Sequence, residues 1–270
     1  MSTRNRLLFF LTAWLLVLMP FLFWWSTWFG RSLSDQEMRE YLNDNAHPRH
    51  IQHAVVQLGQ RMSQHEASAA RWYSDLVRVA SDPHEEVRST DAWVMGQDTA
   101  GPGFHETLQK MLGDPSMIVR GNAALSLVRF GDSSGRAQIV SLLRPVAITS
   151  AYYGRVMDTA GVGTSLHQGG LVAKLQGDDG QVHELRSPMS GRVRAVSIVS
   201  GGSVSAGAAV ATVDPGEEQV WEALRALYVI GQTGDLPVIR PYERELPEIP
   251  ERLRQQAIAT EREIQERARK

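Results

Sequence analysis

The stretch from Ser150 to Val213 contains the same pattern twice. The first copy reads SAYYGRV at 150–156 and LHQGGLVAKL at 166–175, and the second reads SPMSGRV at 187–193 and VSAGAAVATV at 204–213. Gly154 aligns with Gly191, and Gly169 aligns with Gly207. Each copy alternates short apolar runs with glycine turns, which is typical of strands joined by hairpins. Because one copy is too short to close a core, we expect the two copies to fold together.

This duplicated pattern resembles the biotinyl/lipoyl domain family, and the phrase Ser187–Val193 carries the match most clearly. The resemblance implies an all-β barrel-sandwich hybrid over residues 148–213, a flattened barrel of two interlocked four-stranded sheets. In the carrier members of the family, a lysine in the hairpin between the halves takes biotin or lipoate. That position falls on or near Gly180 here, and the nearest lysine, Lys174, lies inside a predicted strand. The resemblance therefore predicts the fold without the carrier chemistry, and Asp178-Asp179 reads as a tight polar turn.

The chain begins with an uncharged run from Leu7 to Phe29, which is 23 residues long. A helix of that length measures about 35 Å, enough to cross a bilayer. Arg4 and Arg6 precede the run, whereas its far flank mixes both charges, and this bias favours an outside body. The sequence thus predicts a transmembrane anchor over residues 1–30 and a single-pass protein of the inner (cytoplasmic) membrane, with its body in the periplasm.

Helical periodicity dominates residues 33–146, where one motif occurs twice. The residues DPHEEVR begin at Asp82, and DPSMIVR begins 32 residues later at Asp114. Aspartate can cap a helix, and proline suits its first turn. The repeated motif resembles HEAT repeats, the paired-helix units of α-solenoids, although an irregular helical bundle stays open as an alternative. A similar start at Asp214 predicts that a HEAT-like helix returns over 214–236, so we expect the barrel to be either inserted into a helical repeat or capped by one. Residues 237–270 then predict a proline-rich extended strap and a C-terminal helix, which is either a solvated tail or a docking helix.

The predicted fold class is therefore multidomain, with five segments along the chain. They are a transmembrane helix (1–30), an all-α HEAT-like solenoid (33–146), an all-β biotinyl/lipoyl-like barrel (148–213), a returning HEAT-like helix (214–236), and a strap with C-terminal helices (237–270).

The composition and the polar motifs give little support for catalysis. The net charge is −2, which gives no electrostatic case for nucleic acid. The chain has no cysteine, and this excludes disulfides, thiolate metal sites and cysteine nucleophiles. His47, His50 and His53 recur at three-residue spacing, so neighbouring pairs can share a helix face and begin a metal site, but no third ligand is evident. His84 and His105 stand at repeat starts, where we expect solvent exposure. No catalytic, cofactor-binding or metal-binding residue is predicted.

These features favour a non-catalytic, membrane-anchored envelope protein that acts as a protein-protein interaction scaffold. Its partners would be the membrane and a protein complex, respiratory or transport-related, which it would serve as accessory subunit or assembly factor. A transport adaptor of the membrane-fusion type remains an alternative, although such adaptors insert a long helical hairpin between the half-barrels. A lipoyl or biotin carrier is a third reading, disfavoured by the absent hairpin lysine.

Overall fold

The computed structural model describes residues 14–16, 18–19 and 32–269. Its helices over 32–269 are α1 (Asp35–Leu42), α2 (Pro48–Ser63), α3 (Tyr73–Val79), α4 (Glu85–Met95), α5 (Phe104–Met111), α6 (Met117–Arg129), α7 (Arg136–Leu142), α8 (Glu217–Ile230), α9 (Leu236–Ile239) and α10 (Glu251–Ala268). Three short 3-10 turns cover Ala67–Trp72, Thr233–Asp235 and Arg240–Glu243. The strands are β1 (Val146–Thr149), β2 (Gly154–Thr159), β3 (Ser165–Leu166), β4 (Leu171–Gln176), β5 (Val182–Arg186), β6 (Gly191–Val196), β7 (Ser203–Val204) and β8 (Ala209–Pro215).

Successive helices pack as pairs, α1 with α2, α3 with α4, α5 with α6 and α7 with α8. The second helices of the pairs also form a row, in which α2 packs on α4, α4 on α6 and α6 on α8, and α10 packs on α8. Glycines allow this close approach, because a Cβ atom at Gly59 would lie 2.9 Å from Val94 Cγ2. A row in which each pair contacts its neighbours is the architecture of a helical repeat array. The prediction of paired helical repeats is therefore confirmed.

The repeated aspartates at the starts of α4 and α6 form turns rather than helix caps. Oδ1 of Asp82 accepts a hydrogen bond from the backbone N–H of His84, and Oδ1 of Asp114 accepts one from the N–H of Ser116, both at 2.8 Å. Because His84 and Ser116 are themselves the N-cap residues, each aspartate closes an Asx turn two residues ahead of the cap. The expectation that these aspartates cap the helices is therefore wrong.

A charged contact joins the second repeat to the third. Arg88 donates from Nε and Nη2 to the two carboxylate oxygens of Asp114, at 2.7 and 2.9 Å, and both side chains are largely buried. Its Nη1 also donates to the carbonyls of Asp82 and Pro83, at 2.8 and 3.0 Å. In the next repeat, Arg120 makes the equivalent bonds to its own turn, but no carboxylate of the described residues pairs with it. Arg88 therefore links two repeats, whereas Arg120 braces one.

The barrel consists of two antiparallel four-stranded sheets that exchange strands between the copies. One sheet has the order β1-β8-β6-β3 and the other β5-β4-β2-β7. The equivalent strands of the two copies are β1 and β5, β2 and β6, β3 and β7, and β4 and β8. Exchanging the members of every such pair converts the strand order of one sheet into that of the other. Each sheet contains two strands from each copy, so neither copy can complete a sheet alone.

Two serines show the same exchange at the level of single hydrogen bonds. The N–H of Ser150, in the first copy, donates to the carbonyl of Ala208 in the second, at 3.0 Å. The N–H of Ser187, in the second copy, donates to the carbonyl of Gly170 in the first, at 2.8 Å. Both serines are buried, and each hydroxyl donates at 2.6 Å to the carbonyl two residues ahead. The two copies are therefore held by equivalent bonds across an internal two-fold relation.

The barrel is inserted within the fourth helix pair, between α7 and α8. β1 and β8 pair antiparallel, with Val146 opposite Val213, so the chain enters and leaves the barrel through neighbouring strands. Ile139 and Leu142 before the barrel share one hydrophobic core with Leu224 and other residues after it. The Gln219 amide also donates to the carbonyl of Leu142, at 2.9 Å. The helix pair thus packs as a unit across the insertion.

The segment after α8 is helical where an extended strap was predicted. Pro237 and Pro241 stand in the first turns of α9 and of the last 3-10 turn, where a missing N–H costs no hydrogen bond, so the prediction from proline content is wrong there. The Tyr242 hydroxyl donates to the carbonyl of Leu143 at 2.7 Å, and burial, followed by the charge of Asp214, raises its pKa to about 12. α10 then buries Leu253 and other residues against α8.

The predicted transmembrane anchor is contradicted. Among the described residues, no helix combines the length and the apolar character needed to cross a membrane. Within the predicted span 7–29, the structure describes residues 14–16 and 18–19, which are helical. The rest of the span lies outside the described residues. An uncharged run meets only the compositional requirement for a span, so the predictions of a membrane anchor and of a single-pass protein of the inner membrane are wrong.

The predicted fold class is also wrong. The described chain is a mixed helix-and-sheet protein with two antiparallel sheets, rather than a transmembrane helix followed by separate all-α and all-β domains. The shared core of α7 and α8 places the sheets inside the helical array, which agrees with a barrel inserted into the repeat rather than capped by it.

Shortening a core valine in either barrel copy is expected to loosen both copies. Val156 and Val193 are equivalent and both buried, as are Val172 and Val210. Val156→Ala or Val193→Ala should each destabilise the barrel by about 1–3 kcal/mol, through lost apolar burial and a cavity. Hydrogen exchange with mass spectrometry should show faster exchange in peptides of both copies for either variant. Loss of protection confined to the mutated copy would mean that the copies are independent hairpins.

Removing the inter-repeat arginine is expected to destabilise the helical array more than removing its counterpart. Arg88→Ala leaves the carboxylate of Asp114 in a largely buried position without its partner, and should lower the free energy of unfolding by about 3 kcal/mol. Arg120→Ala, the matched control, removes only bonds to its own turn. Urea unfolding followed by tryptophan fluorescence compares the two, and an equal loss for both would refute the linking role of Arg88.

Candidate functional site

Three side chains with metal-ligating atoms meet in the loop between α1 and α2. Asp44 accepts from Nδ1 of His47 at 3.0 Å and from Nδ1 of His50 at 2.7 Å. One ligand atom from each of the three residues lies within 4.8 Å of the other two. Hydrogen bonds from His50 and then from His47 lower the pKa of the Asp44 carboxyl below its ordinary value. We refer to Asp44, His47 and His50 as the loop cluster.

His53, the third histidine of the sequence motif, lies outside the loop cluster. Its Nε2 is 2.7 Å from the side-chain nitrogen of Gln57, one turn further along α2. Tyr41 lies between the two groups, because its ring stacks on His50 at a centroid distance of 4.4 Å and meets His53 edge-on at 6.1 Å. The structure therefore brings His47 and His50 together but leaves His53 apart. The third member of the cluster is Asp44, which the histidine spacing did not indicate.

The other two histidines considered from sequence each contact one aspartate. His84 Nδ1 lies 3.0 Å from Asp82, and His105 Nε2 lies 2.8 Å from Asp132. Both imidazoles are about two-fifths exposed, in agreement with the expectation of solvent exposure at repeat starts. Desolvation raises the pKa of Asp132, but hydrogen bonds from Ser134, Gln109 and His105 outweigh it and lower the value to about 2.

The barrel hairpin contains no amine at the position where carriers hold their lysine. The turn from Gly177 to Gln181 is closed by a bond from the N–H of Gly177 to the carbonyl of Gln181, at 2.9 Å. Gly180 adopts φ +77°, a conformation that glycine reaches without strain. Lys174 lies opposite Glu184 on the neighbouring strand, and its Nζ is 3.5 Å from that carboxylate. A short turn, not a helical hairpin, therefore joins β4 to β5.

The exposed sides of α2, α4 and α6 form a second candidate site, with polar contacts along its edges. On one edge, Gln52 of α2 donates to Thr90 Oγ1 of α4 at 3.0 Å. On the other, Arg129 of α6 donates to the Gln97 side chain and to the carbonyl of Gly96, at 3.0 and 3.2 Å. These bonds tie neighbouring helices together, so the surface between them is held in a fixed arrangement.

Apolar side chains lie between these polar edges. Trp93 of α4 is 50% exposed, and Val56 of α2 is 37% exposed. Gly59 lies beside the indole, because a Cβ there would be 3.5 Å from Trp93 Cζ3. Tryptophan combines a large apolar surface with one polar N–H, which is why it is enriched at interfaces. We call Val56, Trp93 and the polar residues Gln52, Thr90, Gln97 and Arg129 the Trp93 face.

A recess of about 320 Å³ lies near the start of the described helices. Its lining comprises Ser32, Gln57, Gln60, Arg61, Gln64 and Glu66. The guanidinium of Arg61 donates a hydrogen bond to the carbonyl of Leu33, at 2.5 Å, and forms an ion pair with Asp35. Because the lining is polar and includes no nucleophile paired with a base, it offers no catalytic arrangement.

The glycine turns 161–164 and 200–203 of the barrel lie between strands. They lie away from helix N-termini, where backbone N–H groups bind phosphate.

Asp91 is a fully buried carboxylate in the core of the helical array. Neither of its oxygens has a hydrogen-bond partner among the described residues. Burial raises its pKa well above the ordinary value; the charge of Arg78 opposes this shift and that of Asp82 adds to it. The equivalent position 32 residues later is Ala123, which is also fully buried. Asp91 therefore stands where the repeat pattern places a small apolar residue.

Sequence reasoning did not identify the Trp93 face or the role of Asp44. The sequence did not single out Trp93, because a helical pattern gives the period of the buried face. It does not show which exposed residue lies between neighbouring helices. The signal for Asp44 was present in the printed sequence, since an aspartate three residues before His47 in a loop can turn back toward it. Only the geometry of the turn decides that His50, and not His53, lies on the same carboxylate.

Replacing Asp91 is expected to stabilise the protein increasingly as pH rises. Because burial holds the folded pKa well above its ordinary value, the folded carboxyl keeps its proton at pH values where the unfolded chain has already lost it, above about pH 4. Its raised folded pKa therefore lowers stability by about 1.4 kcal/mol per pH unit between the unfolded and folded pKa values. Asp91→Asn, which keeps the shape, and Asp91→Ala, which restores the repeat pattern, should each remove this slope. Thermal unfolding between pH 4.5 and pH 8 measures it, and a wild type that gains stability relative to both variants would contradict the assignment.

Comparisons with known proteins give only distant likenesses. No protein-family model matches the chain, and no curated protein matches it. Among solved structures, urea carboxylase of Kluyveromyces lactis is 25% identical over 26% of this chain and 6% of its own length, with a TM-score of 0.25. A single-chain, multi-domain long-chain acyl-CoA carboxylase is 19% identical over 38% of this chain and 10% of its own, with a TM-score of 0.26.

Designed armadillo repeat proteins are also similar to this chain over a larger share of its length. One, solved in complex with a (KR)4 peptide, is 17% identical over 84% of this chain and 80% of its own, with a TM-score of 0.44. A second is 15% identical over the same shares, with a TM-score of 0.42. This chain spans only a small part of the carboxylases and most of the designed repeat proteins, and no family is assigned from these likenesses.

Proposed function

We propose that this protein is a non-catalytic interaction scaffold that binds a polypeptide partner through the Trp93 face. The single observation that carries this proposal is the half-exposed indole of Trp93, fixed between helices that are tied together by polar contacts. Binding would bury the indole without reordering the surface, and a tryptophan placed in this way is the kind of residue that dominates interface energies.

The chemistry of the face indicates what the partner presents. Val56 and Trp93 offer apolar area, while Gln97 and the guanidinium of Arg129 offer hydrogen-bond donors and acceptors beside it. A polypeptide segment with one apolar side chain, flanked by backbone amides and carbonyls, matches this arrangement. In this role the protein would be an accessory subunit or assembly factor of a larger complex.

Two other functions have less support from the geometry. A lipoyl or biotin carrier needs a lysine at the hairpin tip, where Gly180 stands, and Lys174 is ion-paired in a strand instead. A membrane-fusion-type adaptor needs a long helical hairpin between the half-barrels, where the turn from Gly177 to Gln181 stands. We therefore propose a structural role for the barrel, as a rigid body within the fourth helix pair.

Substituting Trp93 is expected to abolish most of the partner affinity. A photo-cross-linking residue at Gln97 should capture a partner in cells of the source organism, and the purified partner then gives a Kd by calorimetry. Trp93→Ala should weaken that Kd about 30-fold, because an interface tryptophan of this kind contributes ~2 kcal/mol or more.

Tyr153→Ala is the matched control, because Tyr153 is an aromatic residue of the barrel that is also about half exposed. Its affinity should equal that of the wild type. If Trp93→Ala binds like the wild type, the Trp93 face is not the binding site. If Tyr153→Ala alone loses affinity, the partner docks on the barrel. That result would also contradict binding through the Trp93 face.

A further inference from the structure

We propose that the loop cluster, Asp44 with His47 and His50, is a binding site for a divalent transition-metal ion, and that Zn²⁺ suits it best. Two imidazole nitrogens and one carboxylate oxygen are a recurrent ligand set for zinc. This site is separate from the Trp93 face, so the proposal stands or falls independently of the proposed function.

The distances within the loop cluster are close to those that a metal ion requires. Zinc bonds of about 2.0–2.2 Å place neighbouring ligand atoms of a tetrahedral site ~3.3 Å apart. The carboxylate of Asp44 lies 3.0 Å from Nδ1 of His47 and 2.7 Å from Nδ1 of His50. Widening these two distances by a few tenths of an ångström, through movement of Asp44 and of the exposed His47, would bring them to that spacing, and all three ligand atoms already lie within 4.8 Å of one another.

The local fold brings the ligands together within seven residues of sequence. Asp44 lies in the loop after α1, His47 is the residue before α2, and His50 lies in the first turn of α2. Pro48 occupies the first helical position and fixes φ there, which sets the direction of the chain between the two histidines. The ligands thus converge because of the turn itself rather than through distant packing.

Tyr41 supports the site from α1. Its ring is stacked on His50 with an angle of 11° between the planes, and it packs against the hydrophobic core of the first repeats. The stacking holds the plane of the imidazole whose Nδ1 lies 2.7 Å from the carboxylate, and such support helps to orient metal-ligating histidines. By contrast, His47 is 65% exposed in its side chain and gives the ion access from solvent.

The charges of the cluster also suit a divalent ion. Two neutral imidazoles and one carboxylate leave a bound dication with one net positive charge, and the three protein ligands leave further coordination to water or to a partner group. The chain contains no cysteine, so no thiolate competes for the ion. Binding would clamp the turn between α1 and α2 and so stabilise the first helix pair.

Calorimetric titration of the untagged full chain with ZnCl₂ at pH 7.5 tests the site. We expect one saturable site per chain, and visible absorption of four-coordinate Co²⁺ should report the same stoichiometry. Asp44→Asn and His47→Ala should each weaken binding at least tenfold, and circular dichroism of both variants checks that they are folded. Zinc should also raise the midpoint of thermal unfolding of the wild type but not of Asp44→Asn.

Three control variants separate a metal site from ordinary histidine–aspartate pairing. His84→Ala and His105→Ala remove imidazoles that contact a single aspartate, and His53→Ala removes the motif histidine outside the loop cluster. All three should bind zinc like the wild type. A wild type without saturable binding, or equal affinity after Asp44→Asn and His47→Ala, would overturn the proposal, and so would loss of binding in any of the three controls.

Discussion

The fold depends on the antiparallel pairing of β1 with β8, the first and last strands of the barrel. Because Val146 lies opposite Val213, the chain leaves α7 and returns to α8 at neighbouring points. A domain whose ends are adjacent can be inserted between two packed elements without separating them. Leu142 and Leu224 consequently meet in one core, although the entire barrel lies between them in sequence. The helical array therefore continues through the insertion, and α10 closes it against α8.

The exchange of strands between the two copies makes the barrel one cooperative unit. Each sheet takes two strands from each copy, and the amides of Ser150 and Ser187 bond across the internal two-fold relation. The loops that receive these bonds turn at Gly169 and Gly207, whose φ values of +75° and +82° glycine adopts without strain. Unfolding of either copy would therefore disrupt both sheets.

Order in the helical array comes from polar contacts between repeats as much as from the core. Arg88 joins two repeat starts. Along the Trp93 face, Gln52 bonds to Thr90 and Arg129 to Gln97, while Val56 and Trp93 remain partly exposed. A surface held in this way pays little conformational entropy when a partner binds. Asp91 is the exception within the core, since a buried carboxyl without a partner lowers stability. The loop cluster lies at the beginning of the same array, where an ion would reinforce the first helix pair.

The sequence by itself determined the local patterns of this protein. The doubled glycine and valine spacing predicted two equivalent copies, and the repeated DPxxxVR starts predicted paired helices, because such patterns depend on neighbours within a few residues. The uncharged run at 7–29 shows the limit of this reasoning, since composition there indicated an anchor that the described helices contradict. The similar start at Asp214 predicted that a helix returns after the barrel, which left the barrel either inserted into a helical repeat or capped by one, and the shared core of α7 and α8 decided for the insertion. Tertiary structure alone decided which sheet each strand joins, and that His50 meets Asp44 while His53 does not. It also decided that Trp93 stays half exposed between helices. These outcomes depend on contacts between residues far apart in the chain or on the exact course of a turn, and a periodic pattern carries no information about either.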